Sequence, residues 1–226
     1  ALKVIFSEAE LKTVPNTATS LKIGFENDLG LFTTLFTADP SRYDHLKRLS
    51  IEGNAAIASA RHKLVVMLPP GLEELNLPLP SDLDDLFSDP YDPRLPLEHL
   101  PHQLTKLTLN INSFDSLLGS SLPSTLTFLE ARLVQSTIDW FAVLPSALTY
   151  CHVNLMNRSE QCSHSDWRLL PRGLTSLGMV IHPLKVKASN LMALPPHLTS
   201  LRIDTTELDS ELMPLLPRSL TEIGGD

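Results

Sequence analysis

The chain has 226 residues, a net charge of −8, and 42% hydrophobic against 19% charged residues. That balance is globular rather than disordered or membrane-embedded. With a pI near 5.4, it argues against general nucleic-acid binding, which needs a basic face to neutralise phosphate. No stretch approaches the roughly eighteen apolar residues of a bilayer span, so membrane insertion is not expected.

Ala1 stands where an initiator Met would, and Ala1-Leu2-Lys3-Val4-Ile5-Phe6 is too short and mixed for a secretory signal. The start therefore reads as a cut or processed end. Leu2-Lys3-Val4 has the look of a strand tail. A pattern follows that begins weakly and then sharpens. Val14-Pro15 precedes Ala18-Thr19-Ser20-Leu21-Lys22-Ile23, and Arg42-Tyr43 precedes Leu46-Lys47-Arg48-Leu49-Ser50-Ile51. Leu68-Pro69 leads into Leu72-Glu73-Glu74-Leu75-Asn76-Leu77, and Leu100-Pro101 into Leu104-Thr105-Lys106-Leu107-Thr108-Leu109. Leu122-Pro123 leads into Leu126-Thr127-Phe128-Leu129-Glu130-Ala131, and Leu144-Pro145 into Leu148-Thr149-Tyr150-Cys151-His152-Val153. Leu170-Pro171, Leu194-Pro195 and Leu216-Pro217 open the last three copies, before Leu174, Leu198 and Leu220.

The shared unit is L-P-x-x-L-T-x-L-x-L. Its nine copies start 28, 26, 32, 22, 22, 26, 24 and 22 residues apart, and the fragment at Leu2 suggests a tenth. In L-x-L both leucines point to one face of a short strand and the residue between to the other. One such strand cannot bury its leucines. Stacked turns bury them in a continuous core and pair the strands in a parallel sheet. Proline lacks an N–H and so precedes the strand, where no ladder bond is lost. Thr follows the first Leu in seven of nine copies, from Thr19 to Thr221, as a β-branched residue suited to a pleated strand edge. Between strands, Phe114-Asp115-Ser116-Leu117-Leu118, Ile138-Asp139-Trp140-Phe141, Asp166-Trp167-Arg168-Leu169 and Leu208-Asp209-Ser210-Glu211-Leu212 predict one- or two-turn α or 3-10 helices.

This pattern resembles the leucine-rich-repeat superfamily over nearly the whole chain. The resemblance implies an α/β, right-handed solenoid with a parallel concave sheet and short convex helices or 3-10 turns. The domain reading is one solenoid over residues 1–226, part of a longer stack. The superfamily's L-x-x-L-x-L-x-x-N consensus is met by Leu46 to Asn54 and Leu104 to Asn112. In the family that Asn forms a ladder between turns; here other copies place Glu26, Pro80, Val134, Met156, His182 and Thr206 there. The Leu-Pro, Leu-Thr opening looks closest to two branches, the FNIP repeats of social amoebae and the repeat domain of bacterial ubiquitin-ligase effectors. The Phe-Asn-x-Pro signature of the first is absent, and the repeats leave no room within the chain for the cysteine-bearing catalytic domain of the second.

Chemistry has few footholds. Cys151, His152, Cys162 and His164 are the one metal-like cluster, but Cys151 replaces a core Leu and should point inward while His152 points out. A Cys/His/Asp triad would have to draw on Asp166, and no spacing aligns the three. No phosphate loop, G-x-S-x-G or H-E-x-x-H occurs. The expectation is therefore a non-enzyme without cofactor or metal. Two cysteines make no disulfide framework, which favours an intracellular setting. Asn157-Arg158-Ser159 is a glycosylation sequon. The acidic, Pro-rich segment from Pro80 to Pro93 reads as a solvated excursion, with a docking loop as the alternative.

The sheet's outward columns read Ser20, Arg48, Glu74, Lys106, Phe128, Tyr150, Ser176, Ser200 and Lys22, Ser50, Asn76, Thr108, Glu130, His152, Gly178, Arg202. Phe128 and Tyr150 fall on adjacent turns, roughly 5 Å apart. Exposed aromatics in mid-sheet suit a binding hot spot, so Lys106, Phe128, Glu130, Arg132, Tyr150, His152 and Asn154 form the expected protein-binding face. The other reading is that these aromatics merely cover their neighbours. An alternative role is end-to-end self-association, since Ile223-Gly224-Gly225-Asp226 follows a strand pattern with no polar cap.

Overall fold

The computed structural model describes residues 3–5, 13–25, 43–53, 68–77, 97–114, 122–136, 140–155, 166–181, 187–203 and 211–224. The chain divides into two compact units, Ala1–Asn110 and Ile111–Asp226.

In the first unit the strands β1 (Lys3–Ile5), β2 (Ser20–Phe25), β3 (Arg48–Gly53) and β4 (Glu74–Leu77) pair in chain order, all parallel. The first residues of β5 (Lys106–Phe114) extend this order through Lys106 to Leu109 against β4. Register is set by the repeat. Leu21, Leu49, Leu75 and Leu107 are aligned across four strands, as are Ile23, Ile51, Leu77 and Leu109, and all eight are buried. The strand tail at Leu2-Lys3-Val4 is a paired strand, since Lys3 to Ile5 lies against Leu21 to Ile23.

The second unit repeats the design. The strands β6 (Phe128–Ser136), β7 (Tyr150–Leu155), β8 (Ser176–Ile181), β9 (Ser200–Ile203) and β10 (Glu222–Gly224) are parallel and follow one another in chain order. Leu129, Cys151, Leu177 and Leu201 form one buried column, and Ala131, Val153, Met179 and Ile203 the next. Cys151 is 0% exposed and takes the place of a leucine, inward as the repeat requires. Burial pushes its thiol up to about 12 from the ordinary 9.0, because the apolar column disfavours a thiolate.

The Leu-Pro element has a second purpose besides avoiding the ladder. In every proline-bearing copy the N–H of the first repeat residue donates to the carbonyl three residues back: Ala18 to Pro15, Leu72 to Pro69, Leu104 to Pro101, Leu126 to Pro123, and so on to Leu220 and Pro217. Proline thus opens a tight turn whose fixed φ aims the chain into the strand. Tyr43 fills the same position in the copy without proline, accepting from Leu46 at 2.9 Å.

The repeated Thr does more than suit a strand edge. Thr149, Thr175, Thr199 and Thr221 each donate their hydroxyl to the carbonyl of the Thr one turn earlier, at 2.9–3.1 Å. In the first unit Thr105 donates likewise to the Glu73 carbonyl at 3.1 Å. Each of these carbonyls also accepts two backbone N–H groups; Thr149 takes Thr175 at 2.8 Å and Ser176 at 3.1 Å. The result is a threonine ladder that ties successive turns together just before the strands. Where Thr is missing, Lys47 and Glu73 occupy the column and pair at 2.9 Å instead. Of the expected asparagine positions, Asn112 falls within β5 and Asn54 lies outside the described residues.

The helices described between the strands are short, as expected. They include 3-10 turns at Leu97–His99, Trp140–Val143, Trp167–Leu169 and Met213–Leu215, and one short α-helix, α1 (Ala188–Met192). Asp166 caps the Trp167 turn by accepting from the Arg168 N–H at 3.1 Å. Buried Phe141 and Trp167 meet edge to face at 6.4 Å, packing one return on the next. Phe114 is a correction: it ends β5, because both β5 and β6 run for nine residues, well past their L-x-L cores, and residues 115–118 of that expected helix lie outside the described residues. The helix α1 lies outside the predicted helices, since Lys187 rather than Ser or Thr precedes it; the Lys187 N–H is held by the Asn190 side chain at 3.0 Å. Residues 208–210 of the fourth expected helix lie outside the described residues, and a 3-10 turn follows at Met213.

Candidate functional site

In the second unit, strand register brings the expected face together in three rows. Phe128 lies opposite Tyr150, Glu130 opposite His152, and Arg132 opposite Asn154. All six occupy outward positions, alternating with the buried Leu129, Ala131, Cys151 and Val153. Lys106 is exposed on β5 of the first unit, opposite Glu74, and is described with that unit alone.

The two aromatics do not merely sit side by side. Their ring centroids are 4.2 Å apart and their planes differ by 3°, so they stack face to face. Adjacent parallel strands lie roughly 4.8 Å apart, so the rings stand on the sheet with their faces turned along the direction from strand to strand. Each remains partly exposed. The Tyr150 hydroxyl is held above its ordinary range, first by burial and then by the Glu130 carboxylate, against an opposing pull from Arg202. The phenol is therefore a neutral donor flanked by charges of both signs.

The residues beyond Tyr150 change character abruptly. Its row continues Ser176, Ser200, Glu222, and the His152 row continues Gly178, Arg202, Gly224. Gly178 is needed by His152: a Cβ there would lie 2.5 Å from His152 Cδ2 and 2.9 Å from its Cγ, so the imidazole lies across the bare glycine. Arg202 runs along Gly224 in the same way, its Cγ and Nε 3.7 Å from where a Cβ would stand. Ser200 Oγ donates to Glu222 Oε2 at 3.0 Å. The repeat places Ser176, Gly178 and Arg202 in the outward columns without singling them out; the signal is the step from aromatic to the smallest residues on one strand.

The outward face of the first unit is polar. Lys22 pairs with Glu52 at 2.6 Å, and Asn76 Nδ2 donates to Ser50 Oγ at 3.2 Å.

Chemistry finds no assembled centre among the described residues. No group of three or more His, Cys, Asp or Glu side chains is placed to hold a metal there. Cys162, His164, the sequon at Asn157 and the acidic excursion at residues 80–93 lie outside the described residues. Asp166 is engaged by Arg168 through its N–H, its Nε at 2.8 Å and its Nη2 at 2.7 Å. Those contacts hold its carboxyl below the usual range and give it a capping role. No helix among the described residues is long and apolar enough to cross a membrane.

Within each unit the repeat gives leucine-rich turns whose strands are parallel and paired in chain order, a solenoid fold. No protein-family model and no curated protein matches the chain. Among solved structures it is similar, over 94% of its length, to the crystal structure of CroV588, a novel circular LRR protein, with a TM-score of 0.39 and 17% identity. The chain spans 34% of the length of that protein.

Proposed function

We propose that the protein is a non-catalytic binding module that takes a protein partner on the outward face of its second unit. The observation that carries this reading is the Phe128–Tyr150 stack, two large aromatics held together on the outward face rather than in the core. Rings ordered before binding lose little conformational freedom when a partner arrives, and buried aromatics dominate measured interface energies. Glu130, Arg132, His152 and Asn154 surround them with polar groups of both signs, as the rim of such a contact requires. The side chains vary there without disturbing the inward columns. A net charge of −8 favours partners with basic surfaces.

The test is affinity capture followed by titration of the captured partner with purified protein. The double substitution Phe128→Ala, Tyr150→Ala should keep the far-UV spectrum and weaken binding by about 30-fold or more, the effect of losing a hot spot worth about 2 kcal/mol. Unchanged affinity would remove these rings from the binding surface.

A second reading, self-association along the stack axis, draws on Ile223. It extends the column of Leu129, Cys151, Leu177 and Leu201 but is 46% exposed. Light scattering tests it: a strict monomer at high concentration counts against it, and a dimer abolished by Ile223→Glu supports it.

A further inference from the structure

The aromatic stack on the second unit stops abruptly. Phe128 covers one face of the Tyr150 ring. The opposite face turns toward β8, where the residue in register is Ser176 and the next outward position is Gly178. The position after Ser176 in the same row, on β9, is again a serine, Ser200. A notch in the outward face, floored by Ser176, therefore lies beside Tyr150. The His152 imidazole, lying across Gly178, bounds it on one side. Its far side carries Glu222, accepting from Ser200, and Arg202, whose Cγ and Nε run along Gly224 and whose charge acts on the Tyr150 hydroxyl.

We infer that this notch receives an aromatic side chain of the protein partner, stacked on the free face of Tyr150 above Ser176 as the third ring of the Phe128–Tyr150 stack. The inference rests on the protein-binding reading above and specifies what the partner must present. Three observations fix the class of occupant. The spacing is that of a ring stack: Tyr150 lies 4.2 Å from Phe128, nearly the strand separation, so a ring over β8 falls at stacking distance from Tyr150. The floor is a serine, which leaves room for the thickness of a ring and offers a hydroxyl to its polar edge. The surrounding charges are mixed, with Glu222 further along the same row and Arg202 in the next. A neutral ring with one N–H or O–H meets both, whereas a guanidinium would face Arg202 and a carboxylate would face Glu222. Tryptophan or tyrosine fits this description.

The test uses the whole chain and two small probes, N-acetyl-tryptophanamide and N-acetyl-argininamide, titrated while backbone amide resonances are followed by NMR. The tryptophan probe should produce saturable shifts at Tyr150, Ser176 and Gly178, with a Kd on the order of millimolar. Ser176→Tyr, which fills the notch from within, should abolish them, and Tyr150→Leu should weaken them at least 3-fold. If Ser176→Tyr does not fold, Tyr150→Leu alone decides. Absence of saturable shifts, shifts that survive the decisive variant, or a stronger response to the arginine probe would each overturn the inference. Failure of the notch is distinguishable from failure of the face. A captured partner that is lost with Phe128→Ala, Tyr150→Ala yet binds folded Ser176→Tyr unchanged refutes the notch and leaves protein binding on this face intact.

Discussion

Replacing the four ladder threonines of the second unit, Thr149, Thr175, Thr199 and Thr221, with valine tests what holds successive turns in register. Valine keeps the branched Cβ and nearly the same volume, so strand preference is preserved. What disappears is four hydroxyl donors, each 2.9–3.1 Å from the carbonyl one turn earlier. Those carbonyls keep their two backbone N–H partners, for example Thr175 and Ser176 on Thr149, so no buried acceptor is orphaned. The hydroxyl bonds are also solvent-exposed. Each loss therefore belongs at the low end of the net value of a hydrogen bond, about 0.5 kcal/mol, and four together at about 2 kcal/mol. For a chain of this size that lowers Tm by roughly 4–8 °C. Thermal and urea unfolding followed by circular dichroism reads the change, with single variants checking additivity between neighbouring turns. If the threonines serve only as β-branched strand formers, the fourfold valine variant will unfold at the wild-type midpoint or above it, and the ladder contributes nothing.

Two further outcomes follow from the packing. Gly178→Ala puts a methyl 2.5 Å from His152 Cδ2; displacing the ring should cost about 1 kcal/mol, and His152→Ala should relieve most of it in a double-mutant cycle. In a Cys162→Ser background, Cys151 should resist thiol reagents at pH 8 until denaturant is added. Because its thiol is raised to about 12 in the fold against an ordinary 9.0, the unfolded state loses this proton first as pH rises. Its contribution to stability is whole below pH 9 and is lost between pH 9 and 12, and Cys151→Ala should flatten that part of the pH profile.

The core is legible in the repeat itself. Leu21, Leu49, Leu75 and Leu107 are aligned in space because they are aligned in the repeat, and the same logic puts Cys151 inside and Tyr150 outside. The threonine ladder is not legible there. Strand propensity accounts for Thr equally well, and only the path of the preceding turn aims its hydroxyl at the carbonyl one turn back. The helix α1 escapes because an Asn side chain three residues on satisfies the Lys187 N–H, with no capping hydroxyl to mark the start. At the site, adjacency of Phe128 and Tyr150 follows from period alone. A period does not fix side-chain torsions, so near-parallel stacking at 4.2 Å emerges only with the rings in place. The notch is hidden for a related reason. Ser176 and Gly178 attract no notice singly and matter only as neighbours of Tyr150 and His152.

The central claim is that a protein partner docks on the outward sheet face around the stacked rings. The most direct measurement compares the partner's affinity for two double variants, Phe128→Ala with Tyr150→Ala on that face, and Met192→Ala with Met213→Ala on the returns, where the methionines are 72% and 46% exposed. The account predicts about a 30-fold loss or more for the first and less than about twofold for the second, since exposed side chains outside an interface contribute little. Full affinity in the aromatic variant with loss in the methionine variant would contradict it and move the binding surface to the helical side of the stack.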